Sequence, residues 1–345
     1  CGLLVIGSIL LFCNCFGPTQ SYPTVQQILF ISTRAGKTEV YTMDRDGNNQ
    51  VNLTRHLDHD TEPQFSPNGL DVLFISNRDG NDEIYFAELE WYGGYTRYSI
   101  ANQVNVSNHH SYDGQPQFSP NGSSIVFEST RDSTYEIYLV DINGFNLINI
   151  SNHSANDRNP QFSPDGQNIV FVSDRDGDDE IFIVDTYGVN PVNITNNTKP
   201  DYRPQFSPNG ENIVFESGRD GNYEIYSMDM DGNNQINLTN HPGFDWQPQF
   251  SPIGDKIMFE STRNGNYELF IMDIDGDNLV NLTNSPDKDF HGNFAPDGSS
   301  ITFTSFRDEN FEIYMVDIDG TKLVNVSNRP DNTDYSSSFQ PWPLE

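Results

Sequence analysis

Short β-branched and aromatic runs recur along this chain, separated by clusters of Gly, Pro, Asn and Asp. In one copy the runs are PQFSPNG (204–210), NIVFES (212–217), EIYSMD (224–229) and NQINLT (234–239). Four such runs between turn residues predict a four-stranded antiparallel blade. Pro-Asn-Gly pins the first turn, because Pro holds φ and Gly accepts positive φ. Arg-Asp-Gly-Asn makes the second turn, and Asp-x-Asp-Gly suits a type I′ hairpin at the third. The unit then repeats. A Phe within a PQFSP-like block stands at Phe65, Phe118, Phe162, Phe206, Phe250, Phe294 and Phe339, at intervals of 53, 44, 44, 44, 44 and 45 residues. Periods of this length mark stacked supersecondary units that cannot bury their apolar faces alone. Residues 25–62 lack the start of a unit, and the C-terminal DYSSSFQP (334–341) aligns with DYRPQFSP (201–208). A last strand that completes the first unit closes a ring. The expectation is an all-β, seven-bladed β-propeller of four-stranded antiparallel blades, with the C-terminal strand completing the first blade. One propeller domain spans 25–341, preceded by an apolar segment (1–24) and followed by a short tail (342–345).

Positions that recur in every copy require a physical cause. The second runs carry Phe30, Phe74, Phe127, Phe171, Phe215, Phe259 and Phe303, and the third carry Tyr41, Tyr85, Tyr138, Phe182, Tyr226, Phe270 and Tyr314. These aromatics are expected to fill the space between blades, each burying ~150–250 Å². Arg34, Arg78, Arg131, Arg175, Arg219, Arg263 and Arg307 each precede a Glu by five residues: Glu39, Glu83, Glu136, Glu180, Glu224, Glu268 and Glu312. Across a tight hairpin such a pair is expected to meet as a charge-assisted latch. An Asp lies five residues before each repeated Phe, at Asp60, Asp113, Asp157, Asp201, Asp245, Asp289 and Asp334. This register is expected at the channel mouth, either holding loop N–H groups or forming a ring of acceptors for a cation.

The SPNG/SPDG turns, the I-V-F-x-S-x-R-D-G and E-I-Y-x-M-D-x-D-G runs and the N-L-T endings together resemble the TolB-type, WD-like propeller repeat. The resemblance covers nearly the whole chain, and it implies the fold far more than any activity. Members called TolB carry an N-terminal α/β domain and six blades, whereas this chain has seven. Similar propellers gate prolyl-oligopeptidase-like peptidases, but no G-x-S-x-G nucleophile elbow occurs here. Oligogalacturonate lyases resemble this architecture and use histidines with a metal. His56, His109, His153 and His241 share one register of their repeats, and His59, His110 and His291 complete the set.

Charge and composition narrow the partners. The formal charge of −32 leaves no basic footprint for nucleic acid. It favours a soluble, cation-attracting surface. The three cysteines, Cys1, Cys13 and Cys15, all precede the repeats, so the propeller needs no disulfide. The segment before Arg34 is uncharged and apolar from Gly2 to Phe12, which reads as a signal core, a lipid anchor on Cys1 or an assembly arm. Export to a periplasmic, extracellular or cell-surface location follows, with residues 2–13 available to dock a second copy into an oligomer or filament.

Three groups remain as candidate sites. The turn pairs Asp44/Asp46, Asp229/Asp231, Asp273/Asp275 and Asp317/Asp319 resemble the front half of calcium loops, although a plain hairpin turn also explains them. Sequons fall at one register in every repeat, at Asn52, Asn105, Asn149, Asn193, Asn237, Asn281 and Asn325, with three more at Asn121, Asn152 and Asn196. Either a sugar belt or a structural demand for Asn accounts for them. The second repeat carries extra residues around Trp91, Tyr92, Tyr95 and Tyr98, which read as a partner-binding loop or as a fold-back over the blade's own edge. The functional expectation is a non-catalytic binding or structural module of the cell envelope or matrix, contacting a protein or glycan. It requires no cofactor, and Ca²⁺ is the ion its turns would take. The alternative is a carbohydrate-active enzyme such as a metal-dependent lyase.

Overall fold

The computed structural model describes residues 26–92 and 97–341, with side chains over 26–90 and 98–341. Seven four-stranded antiparallel sheets follow one another. We letter their strands a to d from the channel outward. In the fifth blade a is Asp201–Phe206, b is Asn212–Ser217, c is Glu224–Asp229 and d is Ile236–Asn237. Strand a begins three residues earlier than the sequence pattern predicts, and d shrinks to two residues. The first blade takes its strand a from the C-terminus. Asp334–Phe339 pairs antiparallel with Gln27–Ser32, bringing Phe339 opposite Ile28.

The ring closes because each blade hides its faces against its neighbours. The seven strand-b phenylalanines are completely buried, and their strand-c partners nearly so. Each pair is cross-strand, as Phe215 is to Tyr226, with ring centroids 5.7 Å apart. One core cluster joins Val170 and Ile181 of the fourth blade to Phe206, Ile213 and Phe215 of the fifth, so the predicted inter-blade filling is what the molecule uses. At the c–d turns the backbone of one blade presses on the next. A Cβ on Gly232, which closes the turn Asp229-Met-Asp-Gly232, would collide with the carbonyl oxygen of Ile194, and the residue adopts φ +83°. The Asp-x-Asp-Gly turns therefore need Gly for blade stacking.

The second blade departs from the pattern. Its c and d strands lengthen to Glu83–Tyr92 and Arg97–Asn105. Tyr98, offered by the sequence either to a partner-binding loop or to a fold-back, takes the second course: it is 1% exposed, belongs to the core cluster with Leu29, Val40, Phe74 and Leu89, and is no partner contact. The hairpin folds back over the first and second blades, because an unpaired strand edge and a large ring are both costly in water. The side chains of Trp91, Tyr92 and Tyr95 lie outside the described residues, as does the segment 1–24 with its three cysteines.

Candidate binding site at the channel mouth

The site is built on seven identical foundations. In every blade the Arg two residues beyond strand b reaches an Asp at the start of strand a rather than the expected Glu. The pairs are Arg78–Asp60 (3.1 Å), Arg131–Asp113 (2.9 Å), Arg175–Asp157 (3.0 Å) and Arg219–Asp201 (3.0 Å). Arg263–Asp245 (2.8 Å), Arg307–Asp289 (2.9 Å) and the ring-closing Arg34–Asp334 (2.6 Å) complete the set. Each guanidinium also donates to the Ser ending strand b, as Arg219 does to Ser217 at 2.7 Å. It lies over both core rings, at 5.5 Å from Phe215 and 4.5 Å from Tyr226 in the fifth blade. The Asp side chains are fully buried, so they form no open acceptor ring at the channel mouth. Burial raises the acids of Asp201, Asp245, Asp289 and Asp334 against the pull of their arginines.

The Glu of the expected pair has another task. Glu224 accepts the backbone N–H of His241 at 2.9 Å and the hydroxyl of Thr239. Glu136 does the same for His153 and Ser151, and Glu83 for His109 and Ser107. Glu39 takes the N–H of His56 at 3.1 Å. The recurrent histidine ring then accepts a backbone N–H two residues on, as His241 Nδ1 does from Gly243 at 2.9 Å. Asn197 and Ser285 fill this role in other blades. The histidine register is thus a turn cap, with one copy per blade. The four do not converge on a metal.

The Asp-rich turns are likewise occupied locally. Asp44, Asp229 and Asp273 accept the side-chain amides of Asn49, Asn234 and Asn278, each at 2.6 Å. Asp46 and Asp231 hold the side chains of Asn48 and Asn233, Asp275 takes the N–H of Asp277, Asp319 takes that of Thr321, and Asp317 pairs with Lys322. Among the described residues no three His, Cys, Asp or Glu side chains are grouped so as to hold a metal. Short Asn and Asp side chains satisfy these turns themselves, so the turns need no ion to hold their shape.

The sequon register has a structural reason as well. Asn237 Oδ1 accepts the N–H groups of Thr239 and Asn240, while its amide donates to Asp220 at 2.7 Å. Asn105, Asn149, Asn193 and Asn325 donate to Asp79, Asp132, Asp176 and Asp308 in the same way. Asn52 donates to Tyr41, and Asn281 to Glu268. Every side chain of the belt is engaged at its amide, which supplies the structural demand for Asn at this register. Asn121, Asn152 and Asn196 are exposed.

Directly beside the Asp latch the symmetry breaks. One residue further along strand a the chain places Thr61, Gly114, Arg158, Tyr202, Trp246, Phe290 and Tyr335. The next residue is Glu62, Gln115, Asn159, Arg203, Gln247, His291 or Ser336, all seven with φ between +49° and +54°. These residues sit at a β-bulge, where the a–b register slips, as between Tyr202 and Gln205. A bulge re-aims side chains and is over-represented beside functional sites. Here it helps line a central cavity of about 410 Å³.

The cavity wall is polar, built from the bulge residues and the two that follow each of them. Next to it, from the strand-a residues just before the bulge, stands a crown of rings that does not itself line the cavity. Tyr202 packs on Tyr223 (6.0 Å), Trp246 on Tyr267 (5.2 Å) and Phe290 on Phe311 (5.4 Å), with Phe244 and Phe306 beside them. On the third blade Tyr112 meets Tyr135, whose face carries Arg158 at 4.5 Å. Beside the crown lies the variable polar ring, supported from strand b of neighbouring blades. Glu260 accepts the N–H of His291 at 2.7 Å and Trp246 Nε1 at 2.9 Å. Glu216 accepts the N–H of Gln247 at 2.6 Å and pairs with Arg203 at 3.0 Å. Glu128 takes the N–H of Asn159 at 3.0 Å.

Burial pushes the Glu260 acid up to about 7. Desolvation lowers the His291 imidazolium. Innermost is a carboxamide collar. Gln64, Gln161 and Gln249 accept the N–H of Phe118, Phe206 and Phe294 in the following blade, stitching the inner strands together. None of the crown or the variable ring was singled out from the sequence, except His291. The available signal was disagreement between repeats at two adjacent registers.

The whole ring carries the stamp of a known repeat. The chain matches the TolB beta propeller domain over residues 12–115, 98–201 and 180–341. It belongs to that family. A stretch of 50 residues is 42% identical to the Tol-Pal system protein TolB of Geobacter sulfurreducens, covering 14% of this chain and 12% of that protein. The structure of a putative TolB from Agrobacterium tumefaciens superposes with a TM-score of 0.55 at 23% identity, covering 72% of this chain and 95% of the other. Oligogalacturonate lyase from Vibrio parahaemolyticus gives 0.62 at 14% identity, with 87% and 84% covered. At these identities the likeness to the solved structures is one of fold.

Proposed function

We propose that this TolB-family propeller is an exported, non-catalytic binding module of the cell envelope that takes its partner at the aromatic mouth of its channel. The observation carrying this reading is the crown from Tyr202 to Phe311, where a sevenfold architecture stops repeating and presents partly exposed rings. Phe244, Tyr267 and Phe306 are 48%, 38% and 40% exposed. Clustered exposed aromatics on a rigid scaffold are a recurrent signature of a binding surface. The namesake Tol-Pal relatives support an envelope setting. Self-assembly through residues 2–13 and binding of Ca²⁺ remain separate parts of this proposal. The test is sedimentation with isolated cell envelopes. The purified protein should co-sediment, and the double variant Phe244→Ser/Tyr267→Ala should stay in the supernatant. Equal behaviour of the two proteins, or failure of the parent protein to sediment, would sink the reading.

A second reading has one observation in its favour. Arg203, Glu216, Glu260 and His291 form a polar group at the channel that other blades do not repeat, as a carbohydrate-active enzyme would require. Appearance of unsaturated sugars from an oligogalacturonate in the presence of Mn²⁺ would establish that reading. Their absence would leave the binding module.

A further inference from the structure

The crown and the polar wall beside it point to one class of ligand, and this inference rests on the channel mouth being a binding site. We infer that the mouth binds an uncharged pyranose chain, with sugar faces stacked on Tyr202, Trp246, Tyr267 and Phe290 and sugar hydroxyls paired with free carboxamides in the channel.

Three observations carry it. The first is shape: the rings stand at one or two per blade over consecutive blades, forming an arc of partly exposed faces rather than a closed core. Such an arc offers flat apolar platforms at low entropic cost, because each ring has few rotatable bonds.

The second is hydrogen bonding. Gln117, Asn159, Gln205 and Gln247 line the cavity, and among the described residues their side-chain amides make no hydrogen bond. Gln64, Gln161 and Gln249, also on the cavity wall, are committed to backbone N–H groups. The collar therefore divides into amides that hold the ring together and amides left over. Each of the latter offers two donors and an acceptor with two lone pairs. Neighbouring hydroxyls, which both donate and accept, fit such groups without requiring any charge. A purely apolar peptide face would leave them unpaired, at a cost in affinity.

The third is charge. Glu62, Glu128, Glu216 and Glu260 surround the channel, against Arg203 and Arg158. Arg203 is already paired with Glu216, and Arg158 lies on Tyr135. In a chain of net charge −32 this acid excess repels phosphates, nucleic acids and uronate chains. It leaves neutral sugars unpenalised.

Titration calorimetry with cellohexaose, chitohexaose and maltohexaose tests the inference, with polygalacturonate as the charged contrast. The full chain should bind at least one neutral hexasaccharide saturably, and polygalacturonate should give no heat. Tyr267→Ala should weaken neutral binding by about tenfold or more, as loss of a stacking anchor does. Asn159→Ala/Gln247→Ala should weaken it comparably, with thermal melting showing that both variants fold. These sites lie outside the buried core, so both variants remain readable. Absence of saturable binding to all three neutral sugars overturns the inference, as does binding that neither variant changes. The binding-module reading fails separately. Envelope sedimentation that still depends on Phe244 and Tyr267, without neutral-sugar binding, would keep the site and remove only its sugar.

Discussion

Two adjacent positions on the same strand behave in opposite ways. Asp201 and its six counterparts are identical, buried and paired with an identical Arg in every blade. Tyr202 and its counterparts hold six residue types in seven places, all but Gly114 partly exposed. The first position is under the same physical demand seven times, because every blade must anchor its inner strand to the hairpin outside it. The second borders the single axis of the ring, where seven copies surround one space and can divide the work. Repetition thus marks architecture and divergence marks the place where function can reside. Strand alternation separates the two, sending successive side chains to opposite faces, and the β-bulge that follows turns the next residue, Arg203 or its counterpart, toward the channel.

The sharpest way to break this contrast is to damage the latch. Arg219→Ala would leave Asp201 buried without its guanidinium and strip the cover from Phe215 and Tyr226. A loss of about 3 kcal/mol or more is expected, read from urea unfolding. A variant no less stable than the parent would show that the latch is ornamental.

A next, smaller effect concerns pH. Glu180 and Glu260, both buried, have acids raised to about 7 from 4.5, chiefly by that burial. The folded state therefore holds more protons than the unfolded chain between about pH 4.5 and 7, and stability falls as pH rises through that window. Relief of charge repulsion in so acidic a chain acts in the same direction. The melting temperature should be higher at pH 5 than at pH 8, and Glu260→Gln should flatten the slope. A melting temperature that climbs steadily from pH 5 to 8 contradicts the assignment.

Removing a single stitch should cost less. Gln161→Ala loses the bond to the Phe206 N–H across two inner strands, which is worth about 1 kcal/mol. The same change at Gln205, whose amide has no partner among the described residues, should be close to neutral. Equal costs at the two sites would erase the distinction between structural and spare carboxamides.

Least of all should the crown matter to stability. Tyr267→Ala touches Trp246 and Lys288 at the surface, so a cost under about 1 kcal/mol is expected. A loss as large as that of Arg219→Ala would move the crown into the architectural class.

The contrast also explains which parts were readable beforehand. The seven blades, their turns and the ring closure were legible because hydrophobic alternation and turn chemistry are local, and each recurs every 44 residues. The latch was half legible. Its arginines stood out, but the spacing of five residues suggested Glu224 for Arg219, whereas the true partner, Asp201, lies 18 residues earlier. Antiparallel pairing sets Asp201 opposite Ser217, beside the guanidinium, and draws Glu224 toward the loop after strand d. The place of Tyr98 was not legible for a related reason: nothing local distinguishes an aromatic on a free loop from one folded back into a core.

By itself, then, the sequence determined the blade, the number of blades and the way the ring closes, since these follow from short-range patterns repeated until the chain meets itself. The tertiary structure alone decided which carboxylate meets which arginine, and which residues face the shared axis. Those outcomes depend on strand register and on the curvature of seven packed sheets, which place residues from different blades around one cavity. No repeat contains that arrangement.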